Sequence, residues 1–367
     1  MDRSPSFLFW DKQTVIKDGF LFIALIVLVA FGAAVHISIA QGGDSARAIR
    51  QLVYVGLGIV LFLIATHIET HRLRTASLVW YGTCFALLAL VLIFGSSIRG
   101  TRGWFSLGFV SFQPVELMKL GLVVVLAAFF ERSRFIYSQW KRFVISFVIA
   151  ILPIGLVLLQ PDAGSSLVLG AIWLMLAITQ LDRRKVLFLI FVAIVIFGIS
   201  WVTVIKDYQK ERILVLMNPA ADPYGIGYNT RQSVIAIGSG KFFGRGIGEG
   251  SQGHLRFLPE AATDFPFAVI AEEMGFVGSV TVLVSFAFLI VRIIYIVRHA
   301  RDDYSAYFAY GVSVWFFTQT AINIGMNLGL LPVIGVPLPF ISYGGSALLV
   351  SCLALGLVGG IATLRRV

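Results

Sequence analysis

Charged residues are scarce in this sequence. Only 13% of its 367 residues are Asp, Glu, Lys or Arg, whereas 58% are hydrophobic and the mean hydropathy is +0.90. Soluble domains carry about a quarter charged residues, so the composition argues against a soluble protein. The connections between the apolar runs are too short to hold a second globular domain. We therefore predict a single polytopic membrane domain over residues 1–367.

Cysteine is almost absent. The two cysteines, Cys84 and Cys352, both lie in apolar runs without metal-ligating neighbours, which argues against a disulfide framework and against a cysteine metal site. A convincing small-residue cleavage site after the first apolar run is lacking as well. That run is therefore expected to remain as a membrane span rather than to be removed as a signal peptide.

Long hydrophobic runs are what the sequence has instead. A transmembrane helix needs about 20 apolar residues, and ten runs satisfy this length approximately. The prediction is an all-α integral membrane protein with ten transmembrane helices and a large extracytoplasmic loop, at about residues 206–265, between spans seven and eight. The predicted spans are Gly19–Ala40, Gln51–Thr66, Ala76–Gly95, Pro114–Phe130, Phe143–Leu159, Gly164–Thr179, Val186–Ile205, Phe267–Val291, Tyr304–Leu331 and Tyr343–Leu364.

The basic residues predict the orientation of these spans. With the N-terminus in the cytoplasm, seventeen Lys and Arg residues fall in cytoplasmic segments and four in the short outer loops. Cytoplasmic loops carry such an excess, so both termini are expected to be cytoplasmic. The net charge of +10 then reflects membrane topology, and no nucleic-acid partner is expected.

Asp264 lies where the long loop re-enters a hydrophobic run, in the sequence Thr263-Asp264-Phe265-Pro266. A carboxylate at a membrane boundary loses hydration and tends to have a functional task. One such task is that of a general base toward a lipid-linked substrate. The alternative, favoured by the local pattern alone, is that Thr263 or Asp264 caps the following helix.

Two further places combine charge with a membrane boundary. Glu116 and Lys119 are three residues apart at the start of span four, so they can form a structural ion pair. Alternatively, Lys119 and the nearby Arg102 face an anionic phosphate group. Asp162, in the short loop after span five, either caps span six or holds a basic partner or a metal beside Asp264.

Glu272 and Glu273 lie inside predicted span eight. At least one of them must face protein, or lie near the interface, rather than lipid. A structural hydrogen bond and the proton relay of a transporter are both compatible with this position.

Two uncharged or glycine-rich segments complete the pattern. The long loop contains many glycines but lacks the spacing of a phosphate-binding loop around Gly240-Lys241. A flexible basic loop facing a pyrophosphate is the preferred functional interpretation, and plain loop flexibility without a ligand is the alternative. Residues 231–237 within it are predicted as a short amphipathic helix. The run Asn323–Ser346 contains three prolines and no charge, which indicates an apolar or re-entrant loop forming one wall of a lipid-binding cavity, or simple packing.

Four motifs occur in a fixed order along the chain, and together they resemble the SEDS family (shape, elongation, division and sporulation proteins), the peptidoglycan polymerases of bacteria. The resemblance covers nearly the whole chain and is closer to the elongation (RodA-like) than to the division (FtsW-like) branch. The motifs are Arg102-Gly103-Trp104 to Lys119, Gln160-Pro161-Asp162, Leu258-Pro259-Glu260 to Glu273, and Pro337-Leu338-Pro339 to Ser346.

Two positions depart from the family pattern. Ala262 stands where the family usually has His, which removes a proton partner for Asp264. Pro266 stands where a β-branched residue is usual, and it is expected to make the turn into span eight more rigid.

The resemblance implies a glycosyltransferase that polymerises lipid II at the outer leaflet of the bacterial cytoplasmic membrane during cell elongation and shape maintenance. Asp264 would take the proton from the acceptor hydroxyl, and undecaprenyl pyrophosphate would leave with inversion to give a β-1,4 glycan. A lipid II flippase is the alternative. Substrate-binding residues on this interpretation are Arg102, Glu116, Lys119, Asp162, Arg231, Lys241, Arg245, Glu260 and Ser342.

The resemblance also bears on cofactors and partners. No cofactor is certain, although a divalent cation, Mg²⁺ or Mn²⁺, is an alternative for sharing the charge of the pyrophosphate. The partners implied by the family are lipid II, the membrane and a class B penicillin-binding protein with transpeptidase activity.

Overall fold

The computed structural model describes residues 18–41, 45–98, 100–107, 110–192, 226–250, 258 and 260–362. Residues 183–192 are helical in addition to the elements named next. The helices are α1 (Gly19–Gln41), α2 (Ser45–Ala65), α3 (Thr70–Thr75), α4 (Ser77–Phe94), α5 (Pro114–Ser133), α6 (Gln139–Leu159), α7 (Ala163–Ile178), α8 (Ile226–Ser239), α9 (Pro266–Arg298), α10 (Asp303–Asn327) and α11 (Gly345–Ala362); the strands are β1 (Ser96–Ile98), β2 (Thr101–Leu107) and β3 (Val110–Phe112).

Within the described residues, six helices are long and apolar enough to cross a membrane, namely α1, α2, α4, α6, α9 and α11. Several of them expose large hydrophobic side chains, among them Val79 and Phe94 at 72% and 73%, which is a surface that lipid would cover. The prediction of a helical multi-pass membrane protein is confirmed. Residues 193–205 of predicted span seven lie outside the described residues.

The connection between α4 and α5 is a small antiparallel sheet, which the helical prediction did not include. Its strand order is β1-β2-β3, with Ser96 opposite Trp104 and Ser106 opposite Ser111. Because sheet pairing satisfies the backbone groups of this segment, the connection has a defined shape. It brings Trp104 to the end of the bundle at which α5 begins.

Helix α5 lies at the centre of the bundle. Almost all of its side chains are buried, and it packs against α4, α7 and α10. A helix that is apolar around its circumference belongs in a core. Small residues allow the close approach: an ideal Cβ on Gly121 would lie 3.0 Å from the Cys84 sulfur, and one on Gly311 would lie 2.9 Å from Val123.

Helix α9 is longer than predicted span eight and is broken at Gly275, which has φ 66° and ψ −157°. The segment 241–246, which follows α8, lies in this break. Its backbone N–H groups donate to the carbonyls of Glu272 and Glu273 at 3.0 Å, and its carbonyls accept from the two N–H groups after Gly275 at 2.9 and 3.2 Å. The break is therefore satisfied by backbone from the same chain, as non-helical structure at membrane depth requires.

Glu272 and Glu273 are both buried, with 0% and 3% of their surface exposed. The Ser38 hydroxyl of α1 donates to the Glu273 carboxylate. The prediction that at least one of these acids faces protein is confirmed, and the Ser38 contact is the structural hydrogen bond that the sequence left as one of two alternatives.

Candidate active site

A polar cavity of about 340 Å³ opens at the end of the bundle where α5, α7, α9 and α11 begin, which we call the cavity end. One wall is formed by residues 333–335, 337, 343, 344 and 347. The uncharged run therefore does form the wall of a cavity, and lipid binding by that wall stays a prediction. The polar side chains that line the cavity are Thr101, Trp104, Gln113, Glu116, Asp162, Ser165, Thr263, Asp264 and Tyr343.

The backbone of Asp264 is held by two asparagines from α10. The Nδ2 groups of Asn323 and Asn327 each donate to the Asp264 carbonyl at 3.0 Å. The Oδ1 atom of Asn327 accepts from the N–H of Ala268, in the first turn of α9, at 2.9 Å. Both asparagines are fully buried, so these bonds fix the turn rigidly against the core.

The interpretation of Thr263 or Asp264 as a helix cap is wrong. The N-cap residue of α9 is Phe265, it makes no side-chain capping bond, and Pro266 occupies the first turn. The N–H of Ala268 donates instead to Asn327 Oδ1 at 2.9 Å and to the Phe265 carbonyl at 3.1 Å. The capping task therefore falls to a different helix, and the Asp264 side chain lines the cavity.

The turn before Asp264 is held by a hydrogen bond from the cavity wall and by one within the turn. The Tyr343 N–H donates to the Ala262 carbonyl at 2.8 Å, which joins the turn to the start of α11. The Thr263 hydroxyl donates to Oε2 of Glu260 at 3.0 Å. Glu260 thus supports the turn that carries Asp264.

Glu116 and Lys119 form the predicted ion pair, with Lys119 Nζ 2.7 Å from Glu116 Oε1. Their exposed fractions are 1% and 0%. The ammonium group also lies 5.9 Å from the ring centroid of Trp315. Glu116 lines the cavity whereas Lys119 does not, so Lys119 reaches the cavity only through Glu116.

Asp162 both caps a helix and lines the cavity. Its Oδ1 atom accepts from the Ser165 N–H at 2.8 Å, so it caps α7 as the sequence indicated. It also lines the cavity with Asp264. The start of α7 can approach the cavity wall closely because residue 164 is glycine: a Cβ there would lie 2.5 Å from the Ile334 carbonyl oxygen.

The predicted substrate-binding residues with basic side chains do not line the cavity. Arg102 donates to the carbonyls of Gly95 and Ile93, both at 3.1 Å, and thereby fastens the small sheet to the end of α4. The others are exposed side chains on α8 and the segment that follows it, namely Arg231, Lys241 and Arg245.

Ser342 is also turned away from the cavity. It is 5% exposed, and its hydroxyl accepts from the Leu338 N–H at 2.7 Å. This bond closes the turn within the cavity wall. This geometry supports a structural role for Ser342 in the cavity wall.

Trp104, Gln113, Asn323 and Asn327 are site residues that the sequence reasoning did not assign. The spacing of the two asparagines was the available signal, because residues four apart share one face of a helix. Two amides on one face of a buried helix require partners. Which backbone they bind depends on a contact across about 60 residues of sequence, and no local pattern specifies it.

The described residues contain no group of three His, Cys, Asp or Glu side chains close enough to hold a metal ion. The cavity nevertheless has the Asp162 and Asp264 carboxylates in its wall. Mg²⁺ is often held by one or two carboxylates together with substrate phosphates. A cation in this cavity would therefore need oxygen ligands from a bound phosphate.

Replacing Asn327 with Leu is expected to lower the free energy of unfolding by about 1–3 kcal/mol, because a fully buried amide loses its hydrogen bonds to the Asp264 carbonyl and the Ala268 N–H. The loss is not larger, since Asn323 still donates to the Asp264 carbonyl and the Ala268 N–H still reaches the Phe265 carbonyl at 3.1 Å. Denaturant unfolding of the purified protein measures this loss. Gln319→Leu is the comparison variant: it also removes a buried amide, whose Oε1 accepts from Trp315 within α10, and so measures the cost of losing such a bond away from the Asp264 turn. An Asn327→Leu variant as stable as the wild type would contradict the assignment.

The fold and the cavity together define a polytopic membrane protein with an acidic pocket at one end of its helical bundle. The chain belongs to the FtsW/RodA/SpoVE family, described as "Cell cycle protein", whose model matches residues 13–367. This is the SEDS family that the motifs indicated.

Curated relatives match over nearly their whole length. "Peptidoglycan glycosyltransferase MrdB" of Escherichia coli (strain K12) is 36% identical over 359 residues, which cover 98% of this chain and 96% of the relative. "Probable peptidoglycan glycosyltransferase FtsW" of Coxiella burnetii is 38% identical over 364 residues, with coverage of 95% and 97%.

Solved structures share the fold. Rod shape determining protein RodA of Thermus thermophilus has a TM-score of 0.71 and 29% identity, with coverage of 97% of this chain and 99% of that chain. A chain in the structure described as "Structural coordination of polymerization and crosslinking by a peptidoglycan synthase complex" has a TM-score of 0.80 and 32% identity, covering 94% and 97%.

Proposed function

We propose that this chain is a peptidoglycan glycosyltransferase that polymerises lipid II, with Asp264 as the general base. The observation that carries the proposal is the placement of Asp264 in the wall of a cavity, on a turn held by Asn323 and Asn327 rather than by a capping bond of its own. The relatives named as peptidoglycan glycosyltransferases support the reaction class.

In this reaction an Asp264 oxygen accepts the proton from the acceptor sugar hydroxyl as that hydroxyl oxygen attacks the anomeric carbon of the donor. The bond from that carbon to the pyrophosphate breaks, and undecaprenyl pyrophosphate leaves. Attack opposite the leaving group inverts the anomeric centre and gives a β-1,4 linkage. The rigid turn holds the carboxylate in place, which lowers the entropic cost of aligning it with the hydroxyl.

The acidic and the basic residues of the proposed site lie in different places. The cavity wall contains Glu116, Asp162 and Asp264, whereas Arg231, Lys241 and Arg245 are exposed on α8 and the following segment. We assign the developing negative charge of the pyrophosphate to these three basic side chains, which would have to reach it from α8 and from the segment held in the break of α9. Glu116 and Lys119 support the cavity wall as a structural pair.

The membrane arrangement that accompanies this function has ten spans, with both termini in the cytoplasm and the cavity end facing outward. The charge pattern of the connections supports it: Arg132 and Arg134 fall at the end opposite to the cavity, as do Arg183 and Arg184. A lipid-linked sugar delivered to the outer leaflet would then meet Asp264 directly.

The transporter alternative rested on charges inside spans and on broken helices. The break in α9 is filled by the chain's own segment 241–246, and Glu273 accepts a hydrogen bond from Ser38. A pathway for a lipid headgroup would need these contacts to open. The geometry therefore favours chemistry in the cavity over passage along α9.

The deciding experiment is incubation of the purified full-length protein with lipid II, followed by gel analysis of the glycan strands. Polymer that disappears when the donor lipid lacks its pyrophosphate would support the proposal. Movement of labelled lipid II across protein-containing vesicles without any polymer would instead establish the flippase.

We further propose that a divalent cation, Mg²⁺ or Mn²⁺, binds between the Asp162 carboxylate and the substrate pyrophosphate. Asp162→Asn is expected to raise the Mg²⁺ concentration for half-maximal polymerisation by about tenfold, since one charged oxygen ligand is lost. Asn also caps helices well, so the melting temperature should be unchanged. Titration of Mg²⁺ into chelator-treated protein measures the effect, and an unaltered midpoint would contradict it.

A class B penicillin-binding protein is the partner we propose. The neighbouring structure whose description couples polymerization with crosslinking supports a complex of this kind. The role in cell elongation and shape is part of the same proposal, since the structural neighbours include a rod shape determining protein. Co-purification of the full-length chain with the transpeptidase expressed from the same genome tests it.

A further inference from the structure

A second concave site lies at the end of the bundle opposite to the cavity. It is a groove of about 290 Å³ between α4, α5 and α6. Glu116 is near the start of α5 and Arg132 is near its end, so the two sites are separated by about 24 Å of helix at 1.5 Å per residue. The groove contains none of the residues assigned to catalysis.

The interior of the groove is apolar. It is lined by Val125, Ala128 and Phe129 of α5 and by Ile149 of α6, with Leu78 of α4 at its rim. Leu78 is 68% exposed, so the groove opens toward the side of the bundle that lipid would cover. A long unbranched hydrocarbon chain fits such a lining, because apolar contact is its only requirement.

One end of the groove is polar. Arg132 lines it and donates through Nη2 to the Arg74 carbonyl at 3.0 Å, which uses one of the five N–H donors of a guanidinium. Lys141 places its ammonium group 4.4 Å from the ring centroid of Tyr137, another lining residue. Two cations therefore lie at the same end.

A buried hydroxyl group points to a ligand at this end. Ser133 lines the groove, is 2% exposed, and its oxygen has no hydrogen-bond partner among the described residues. Buried polar side chains are nearly always hydrogen-bonded. An oxygen-rich group bound between Ser133 and Arg132 would provide the missing partner.

We propose that this groove binds an anionic phospholipid, with one acyl chain along α5 and the phosphate between Ser133 and Arg132. The combination of an apolar interior with cations and a hydroxyl at one end matches a phospholipid and no purely polar ligand. Arg is well suited to the phosphate because its planar donors match phosphate oxygens. With the orientation given above, the lipid belongs to the cytoplasmic leaflet, and its binding is independent of Asp264.

Native mass spectrometry of the detergent-purified full-length protein tests the proposal, with dioleoyl phosphatidylglycerol and dioleoyl phosphatidylcholine as probes. The wild type is expected to retain the anionic lipid about fivefold better, which is the effect of one basic side chain near an anionic lipid. Arg132→Gln should lose this preference. Arg134→Gln is the matched control, since Arg134 lies two residues away but pairs with Asp303 rather than lining the groove.

A second variant tests the groove itself. Ala128→Leu fills the apolar interior without altering charge and should reduce retention of both lipids. Equal retention of the two lipids by the wild type would overturn the proposal. An equal loss in Arg132→Gln and Arg134→Gln would overturn it as well, because the preference would then come from surface charge in general.

Discussion

Asp264→Asn is expected to reduce lipid II polymerisation by about 10²- to 10⁴-fold, the usual contribution of a general base. The amide has the same shape as the carboxylate but does not accept a proton at neutral pH. Gel analysis of the glycan strands made per unit time measures the loss. The expected effect is on the rate of glycosyl transfer and not on the fold.

The fold is expected to survive because the backbone of Asp264 is held from outside. Asn323 and Asn327 bind its carbonyl, and Asn327 also satisfies the first turn of α9. The melting temperature of Asp264→Asn should therefore stay close to that of the wild type. Asp182→Asn is a suitable control, since Asp182 is an exposed acid that pairs with Lys185 far from the cavity.

Asp264→Ser separates this hypothesis from a scaffold without catalysis. Serine is a good capping residue, so a role in helix capping would leave the activity of this variant intact. The base hypothesis expects the same loss as for Asn. Polymerisation within a few-fold of the wild type in both variants would remove Asp264 from the chemistry.

The helical membrane architecture was predictable because hydrophobic length is a local property. Span one was predicted as Gly19–Ala40 and is observed as Gly19–Gln41; span five was predicted as Phe143–Leu159 and is observed as Gln139–Leu159. The ion pair of Glu116 and Lys119 was predictable for the same reason, since three residues of helix fix its geometry.

The break at Gly275 was not predictable, because a glycine in an apolar run is common in membrane helices. What stabilises the break is backbone from residues 241–246, which is about 30 residues away in sequence. The turn at Asp264 posed the same difficulty. Its local pattern is that of a helix cap, whereas the side-chain acceptor of the first turn of α9 is the distant Asn327.

The roles of the basic residues could not be predicted from composition and motif alone. Arg102 lies in a motif and near the cavity, yet its guanidinium binds the carbonyls at the end of α4. A count of charges does not distinguish an Arg that binds phosphate from one that fastens a sheet. That distinction depends on side-chain direction, which the fold determines.

Lys119→Met is expected to have the largest effect on stability, a loss of about 3–5 kcal/mol, because it leaves the Glu116 carboxylate buried without its partner. The double variant Glu116→Gln with Lys119→Met should recover most of this loss, since no uncompensated charge then remains in the core. Denaturant unfolding in detergent measures both values. A double variant as unstable as Lys119→Met would contradict the pair as the source of the effect.

The activity of the double variant then distinguishes a structural role of the Glu116–Lys119 pair from a direct role on the substrate. Lys119 does not line the cavity and its ammonium contacts Glu116 and Trp315, so a structural role is expected and polymerisation should recover together with stability. The charge swap Glu116→Lys with Lys119→Glu is a stricter version, since it keeps both charges but places a cation at the cavity wall. A neutral double variant that is fully folded yet inactive would show that Glu116 acts on the substrate directly, because Glu116 is the member of the pair that lines the cavity.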